Sequence, residues 1–316
     1  MPVQNRGDSM LSTREAYGFA LASLGGDHDF YVLDADLAKA TMTSVFREKF
    51  PERHFDMGIA EANMMGYAAG LASCGVPVFA SSFAAFAAGR AYDQIRNGIA
   101  YPGLNVKIVA THGGVMIGQD GGSHQCVEDL ALMRTIPGMV VLHPSDEVST
   151  FACVEAALHW QGPVYLRLGR FASPVLYGKE EKFSIGGSKV LRTGDDAVVF
   201  AAGTIITEAL EAAERLERRG IHTAVVDLYS VSPIDAQTVL YWAGRTGRFV
   251  TLEDHNIQAG LGSAVCEVLA EKLPTRGKRL GVRSKFGQSG APEDLKRMYQ
   301  IDAESVENAV TELMRA

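Results

Sequence analysis

Short apolar runs alternate with helical periodicity along most of the chain. Residues 12–24 open on Ser12 and Thr13 and set Tyr17, Leu21 and Leu24 at helical spacing, which predicts a first helix. FYVLDADL, residues 30–37, reads as a buried strand ending at Asp34 and Asp36, and α/β folds place functional loops after such carboxyl ends. A helix carrying Glu61 follows, then PVFASS as a strand, a helix through AGRAYDQIRNGIA, and VKIVAT as a strand. MVVLHP and VYLRLG add two strands, separated by a helix near EVSTFACVEAALHW. Strands alternating with helices predict a parallel sheet covered on both faces.

Around residues 172–188 the stretch ASPVLYGKEEKFSIGGSK supplies Pro, Gly and charge without periodicity, and the pattern then restarts. AVVFAAG, HTAVVDL and FVTLEDH read as strands, TEALEAAERLERRG as an amphipathic helix, and GLGSAVCEVLAEKL as a helix opened by glycines. The expected organisation is α/β in two domains, residues 1–175 and 189–316, joined by a linker at 176–188, each domain having its own core. No internal repeat or low-complexity tract interrupts it.

Composition narrows the function classes. Hydrophobic residues are 47% and charged residues 21%, so neither disorder nor a membrane span is suggested. A net charge of -7 argues against nucleic acid as a partner, because no basic excess is present to neutralise phosphates. Cys74, Cys126, Cys153 and Cys266 form no CxxC pair, so neither a zinc site nor a disulfide framework is indicated. The N-terminus lacks an apolar core behind basic residues, and the expected location is cytoplasmic, with no membrane contact.

Two features carry chemistry. Glu61 is the only carboxylate between Asp56 and Asp93, within an apolar, small-residue run, where a desolvated acid needs a reason; taken alone it could cap a helix or face a water pocket. The second is THGGVMIGQDGGSHQ, residues 111–125, which follows the strand VKIVA and packs two histidines, an aspartate and five glycines into one loop. Glycines let backbone approach a ligand, while His and Asp bond and move protons. A metal on His112, Asp120 and His124, or a plain glycine-rich turn, are the alternatives.

HFDMGIAEANMMGYAAGL (54–71), Phe83 with Phe86, and ATHGGVMIGQDGGSHQ resemble the pyrimidine-binding domain of the transketolases, which are thiamine diphosphate enzymes. FVTLEDHNIQAGLGSAVCEVLAE and FGQSGAPEDL resemble their C-terminal domain, so the likeness covers nearly the whole chain. It implies a thiamine-diphosphate-binding, pyrimidine-type parallel-sheet domain followed by a transketolase C-terminal-like α/β domain.

The resemblance implies that Glu61 is catalytic, its carboxyl bonding N1′ of the cofactor's aminopyrimidine ring, while Phe83 and Phe86 flank that ring and Asp36 lies close to the cofactor. His124, also catalytic, and Asp120 would contact hydroxyls near the reacting carbons of the sugar. His112, Arg14 and Arg170 would surround a terminal phosphate, since arginine's planar fork suits phosphate. Without the resemblance, Phe83 and Phe86 read equally as core, Asp36 as a turn or cap, Arg14 as a solvated helix charge, and Arg170, near Arg167, as a loop charge. One departure concerns substrate: Ala40, flanked by Lys39 and Thr41, stands where related sequences carry a serine on the phosphate-binding loop. Either neighbour compensates, or another anionic group replaces phosphate.

No GDG motif followed by Asn is present; TGDDA, residues 193–197, precedes a strand of the second domain and lacks the pattern. The diphosphate and its Mg2+ are therefore expected on a separate N-terminal transketolase subunit, in an α2β2 heterotetramer that moves a two-carbon ketol unit from a ketose, typically phosphorylated, to an aldose. This chain itself is expected to supply no metal ligand and to be inactive alone. The beta subunit of a 2-oxo-acid dehydrogenase and deoxyxylulose-phosphate synthase share parts of the pattern but differ at His112 and its loop. A noncatalytic regulatory or scaffold paralogue is the alternative of another class.

Overall fold

A computed structural model describes residues 10–315; residues 1–9, part of the stretch read for a leader, and Ala316 lie outside the described residues. The described residues contain strands β1 (Tyr31–Asp34), β2 (His54–Asp56), β3 (Val78–Phe83), β4 (Val106–Thr111), β5 (Val140–Leu142), β6 (Val164–Arg167), β7 (Lys189–Arg192), β8 (Ala197–Ala201), β9 (Thr223–Asp227), β10 (Ser230–Ser232), β11 (Arg248–Asn256) and β12 (Arg276–Val282). They form a seven-stranded sheet in the order β10-β5-β6-β4-β3-β1-β2 and a five-stranded sheet in the order β12-β11-β8-β9-β7. The chain is thus α/β with two sheets.

Both sheets are parallel except at one edge, where β10 runs antiparallel to β5 and β7 antiparallel to β9. β10 belongs to the later part of the sequence yet completes the first sheet, crossing back over the linker. The apolar interior is also shared: one buried cluster holds Leu33, Ile108 and Met133 together with Phe200, Val226 and Trp242. Two further clusters lie almost wholly in one half each, Tyr17, Phe79 and Leu166 in one and Val199, Leu252 and Val310 in the other, so a shared core joins them. Three-residue strands and cross-domain packing leave no periodicity to read.

The first helix, Thr13–Leu24, starts as its sequence demands: the Ser12 side chain accepts from the Glu15 backbone and Glu15 reaches back, a full capping box. It packs against the helix Glu147–His159, and its buried Tyr17 bonds Ser81 of β3 at 2.7 Å. The segment read as one helix through AGRAYDQIRNGIA is instead two π-helical stretches, Ala85–Arg90 and Gln94–Ala100. A π turn absorbs an extra residue per turn and re-aims the side chains that follow; such turns recur at functional sites.

Neighbouring strand ends position the chemistry. β3 and β4 are buried along their whole length, and their register pairs Phe83 with Thr111. Phe83 and His112 therefore leave the sheet side by side. β6 lies on the other side of β4, pairing Arg167 with Ala110, which brings the 168–171 loop beside the 112–125 loop. No helix among the described residues is long and apolar enough to cross a membrane.

Candidate active site

Glu61 is the first residue of the helix Glu61–Ser73 and is 3% exposed, yet it caps nothing; Ala60 holds the cap position without a side-chain bond. Its carboxylate accepts from Arg90 Nη1, at 3.1 Å to Oε1 and 3.3 Å to Oε2. Sequence reasoning passed over Arg90. The available signal was an arginine standing alone in the run SSFAAFAAGRAY, which otherwise holds no charge. The Arg90 guanidinium lies 4.0 Å from the Phe86 ring centroid, a cation–π contact that fixes its direction.

From Phe86 an aromatic patch runs inward. Phe86 stacks with Phe83 at 5.8 Å, Phe83 stacks on His112 at 3.9 Å, and His124 meets the edge of Phe86 at 5.2 Å. His112 is 2% exposed, has φ of 59°, and shares a 2.8 Å hydrogen bond between Nδ1 and the Thr111 hydroxyl. Burial first, then the charges of Arg14 and Arg170 and the neighbouring His124, push its imidazole down to about 3. His112 is accordingly a neutral group at physiological pH. His124 is half-buried, with Nδ1 2.9 Å from the Ser123 hydroxyl.

Beyond His112 the charged residues gather. Arg170 donates from Nη1 to Asp120 at 2.8 Å and to the Ile117 carbonyl at 2.9 Å. Arg14 donates from Nε to the Arg170 carbonyl at 3.1 Å and from Nη1 to the Ala40 carbonyl at 2.8 Å. Burial lowers the pKa of Arg14, with Glu15 opposing and Arg170 adding to the fall. A guanidinium has five N–H donors, so both arginines keep donors for an anion. Of the two neighbouring arginines, Arg167 is turned inward, bonding Asp129 at 2.9 Å and the carbonyls of Cys126 and Asp254.

Asp36 lies apart from this line. Its φ is 60°, its backbone N–H donates to Asp56 Oδ1 at 2.9 Å, and its exposed side chain lines a cleft with Lys39, Ala40, Arg47 and Asp56. The cleft joins the Arg14 cluster only through Ala40. The two neighbours of Ala40 differ: Thr41 is buried, donating to Asp34 Oδ2 at 2.6 Å, whereas Lys39 is exposed on the cleft. Lys39 alone is placed to meet a ligand there.

Among the described residues no three His, Cys, Asp or Glu side chains group as a metal site; the triad of His112, Asp120 and His124 does not converge. The contacts form two groups, Glu61, Arg90, Phe86, Phe83, His112 and His124 in one and Arg14, Arg170 and Asp120 in the other, and the charges of Arg14 and Arg170 act on His112. An acid beside aromatic rings fits a planar nitrogen heterocycle, and the arginine end fits an anion.

Comparisons with known proteins agree along the chain. The family described as "Transketolase, pyrimidine binding domain" matches residues 9–174, and that described as "Transketolase, C-terminal domain" matches residues 186–306. A putative transketolase C-terminal section from Methanocaldococcus jannaschii is 45% identical over 307 residues, 96% of each chain. A 6-deoxy-6-sulfo-D-fructose transketolase subunit from Clostridium sp. is 40% identical, over 91% of this chain and 89% of its own. A solved structure described as a split gene transketolase, inactive beta4 tetramer, superposes with a TM-score of 0.91 at 48% identity, over 96% of this chain and 99% of that one.

Proposed function

The chain belongs to the transketolase family, and from that premise we propose that it is the C-terminal subunit of a split enzyme that moves a two-carbon ketol unit from a ketose to an aldose. The observation that carries this reading is the buried Glu61, joined through Arg90 to the Phe86, Phe83 and His112 rings. Thiamine diphosphate, when bound, supplies the electron sink for cleaving the bond beside the ketose carbonyl.

In this reading Glu61 would hold a proton at N1′ of the aminopyrimidine, and Arg90 orients its carboxylate. Phe83 and Phe86 flank the ring and exclude water, and Asp36 approaches the cofactor from its own cleft. Asp120 and His124 bond the sugar hydroxyls, with His124 taking or returning the hydroxyl proton next to the cleaved bond. Arg14 and Arg170 grip the far anionic end, and neutral His112 donates to it without adding charge. Ala40 contributes only its carbonyl, to Arg14, so this end selects by charge through the arginines. The relative named for a sulfosugar supports widening the anion from phosphate to sulfonate.

The diphosphate and Mg2+ are assigned to an N-terminal partner subunit, in a cytoplasmic α2β2 assembly. The solved relative described as an inactive tetramer of beta chains supports a chain that is silent alone. The test is coexpression with such a partner, addition of thiamine diphosphate and Mg2+, and assay of two-carbon transfer from fructose 6-phosphate. Decarboxylation of a 2-oxo acid in its place would favour a dehydrogenase subunit, and assembly without either reaction a scaffold.

A further inference from the structure

The loop that carries Asp120 and His124 is gripped from the other domain at both of its shoulders. At the first shoulder Asp254, on β11, is 6% exposed; its Oδ1 accepts from the Val115 backbone at 2.8 Å and its Oδ2 from Met116 at 3.2 Å. Gly114, with φ of 83°, lets them approach, since a Cβ there would run into the Asp254 carboxylate. The same strand continues the grip past the loop, Asn256 donating its backbone N–H to the Val127 carbonyl at 2.8 Å.

At the second shoulder the segment 286–290 lies along the loop. Gln125, 5% exposed, donates from Nε2 to the Val115 and Gly118 carbonyls at 3.0 and 3.2 Å and across the domains to the Gln288 carbonyl at 3.0 Å. Ser289 donates from its hydroxyl to the Gln119 carbonyl at 2.8 Å. The backbones touch as well: a Cβ on Gly122 would meet the Gly287 carbonyl, and one on Gly287 would meet the Gln125 side chain. The segment is itself pinned, because the Tyr299 hydroxyl donates to the Phe286 carbonyl at 2.8 Å. None of these contacts uses the side chains of Asp120 or His124.

We propose that the C-terminal domain serves the reaction as a clamp on this loop, with Asp254, Gln125 and the 286–290 segment as positioning residues that set where Asp120 and His124 stand. The proposal rests on the reading above, in which those two side chains contact the sugar. Displacement of a reacting group by an ångström is costly to rate, so a brace on the loop backbone acts directly on function.

The test uses Gly287→Ala, whose methyl would run into the Gln125 side chain, and Ser289→Ala, which removes one exposed hydrogen bond and leaves the fold intact. Amide hydrogen exchange is read over residues 115–125 in each chain, with KM for fructose 6-phosphate, kcat and thiamine diphosphate affinity read in the assembled complex. The clamp predicts faster exchange in that loop and a KM raised about tenfold in Gly287→Ala and about threefold in Ser289→Ala, with cofactor affinity unmoved. Unchanged exchange in both variants, or cofactor affinity falling in step with KM, overturns it. Faster exchange with KM unmoved upholds the brace and overturns the assignment of the loop to the sugar.

Discussion

Two arginine–carboxylate pairs sit in this chain at similar distance and in opposite circumstances. Arg167 and Asp129 meet at 2.9 Å with side chains 2% and 0% exposed, and Arg167 also holds two backbone carbonyls while Tyr165 donates to Asp129. Burial alone would lower the pKa of Arg167, but the charges of Asp129 and Asp254 outweigh it and the result is a rise. Arg90 and Glu61 meet at 3.1 Å, but Arg90 is 52% exposed and touches only the Glu61 carboxylate and the Phe86 ring. The first pair lies within one domain and reaches the other through the Asp254 carbonyl. The second is a carboxylate with one removable partner, beside a helix whose Gly66 and Gly70 have nothing within 4 Å of where a Cβ would stand. A fully buried pair resists exchange, whereas a half-open one can trade its cation for another hydrogen-bonding group.

The contrast can be broken most forcefully at the closed pair. Asp129→Ala strands a buried guanidinium and is expected to cost about 3–5 kcal/mol, read as a lower urea midpoint; a loss under about 1 kcal/mol would erase the distinction between the pairs. Glu61→Gln should leave the midpoint close to wild type while reducing two-carbon transfer in the complex by about 100-fold, read at saturating cofactor. Full turnover there would remove Glu61 from the chemistry.

A smaller effect separates buried from open groups by pH. The His112 pKa falls from 6.5 to about 3, so the unfolded chain takes up a proton that the folded chain refuses. The associated stability is whole above pH 6.5 and is lost as pH drops toward 3, reaching about 2 kcal/mol by pH 5. His112→Asn should therefore lose less stability than wild type between pH 7 and pH 5 in urea titrations; parallel losses would show that the imidazole is not held neutral. Smallest is the effect at the anion end, where Arg170→Gln should raise KM about tenfold for a phosphorylated or sulfonated ketose and little for an uncharged one. Equal changes for both would move Arg170 out of the anion site.

Much of this was legible in the sequence because it is local. Ser12 and Thr13 announce the start of the first helix, buried strands such as VKIVAT announce themselves by composition, and Glu61 stands out because its neighbours are apolar. The glycines and histidines of residues 111–125 marked a candidate ligand loop in the same way. Other features had no local trace. Lys39 and Thr41 looked equivalent beside Ala40 until the fold turned Thr41 onto Asp34 and left Lys39 on the cleft. The small-residue run that reads as one helix becomes two π-helical stretches under the packing around it.

By itself, then, the sequence determined the alternation of elements, their caps, and which residue types stand at the strand ends, since each of these is set by neighbours a few positions away. Only the tertiary structure decided who partners whom: Arg90 with Glu61 at a separation of 29 residues, Gln125 with Gln288 at 163, and β10 with β5 across the linker. Those choices depend on which surfaces the folded chain brings within hydrogen-bond distance, and no short-range pattern encodes that.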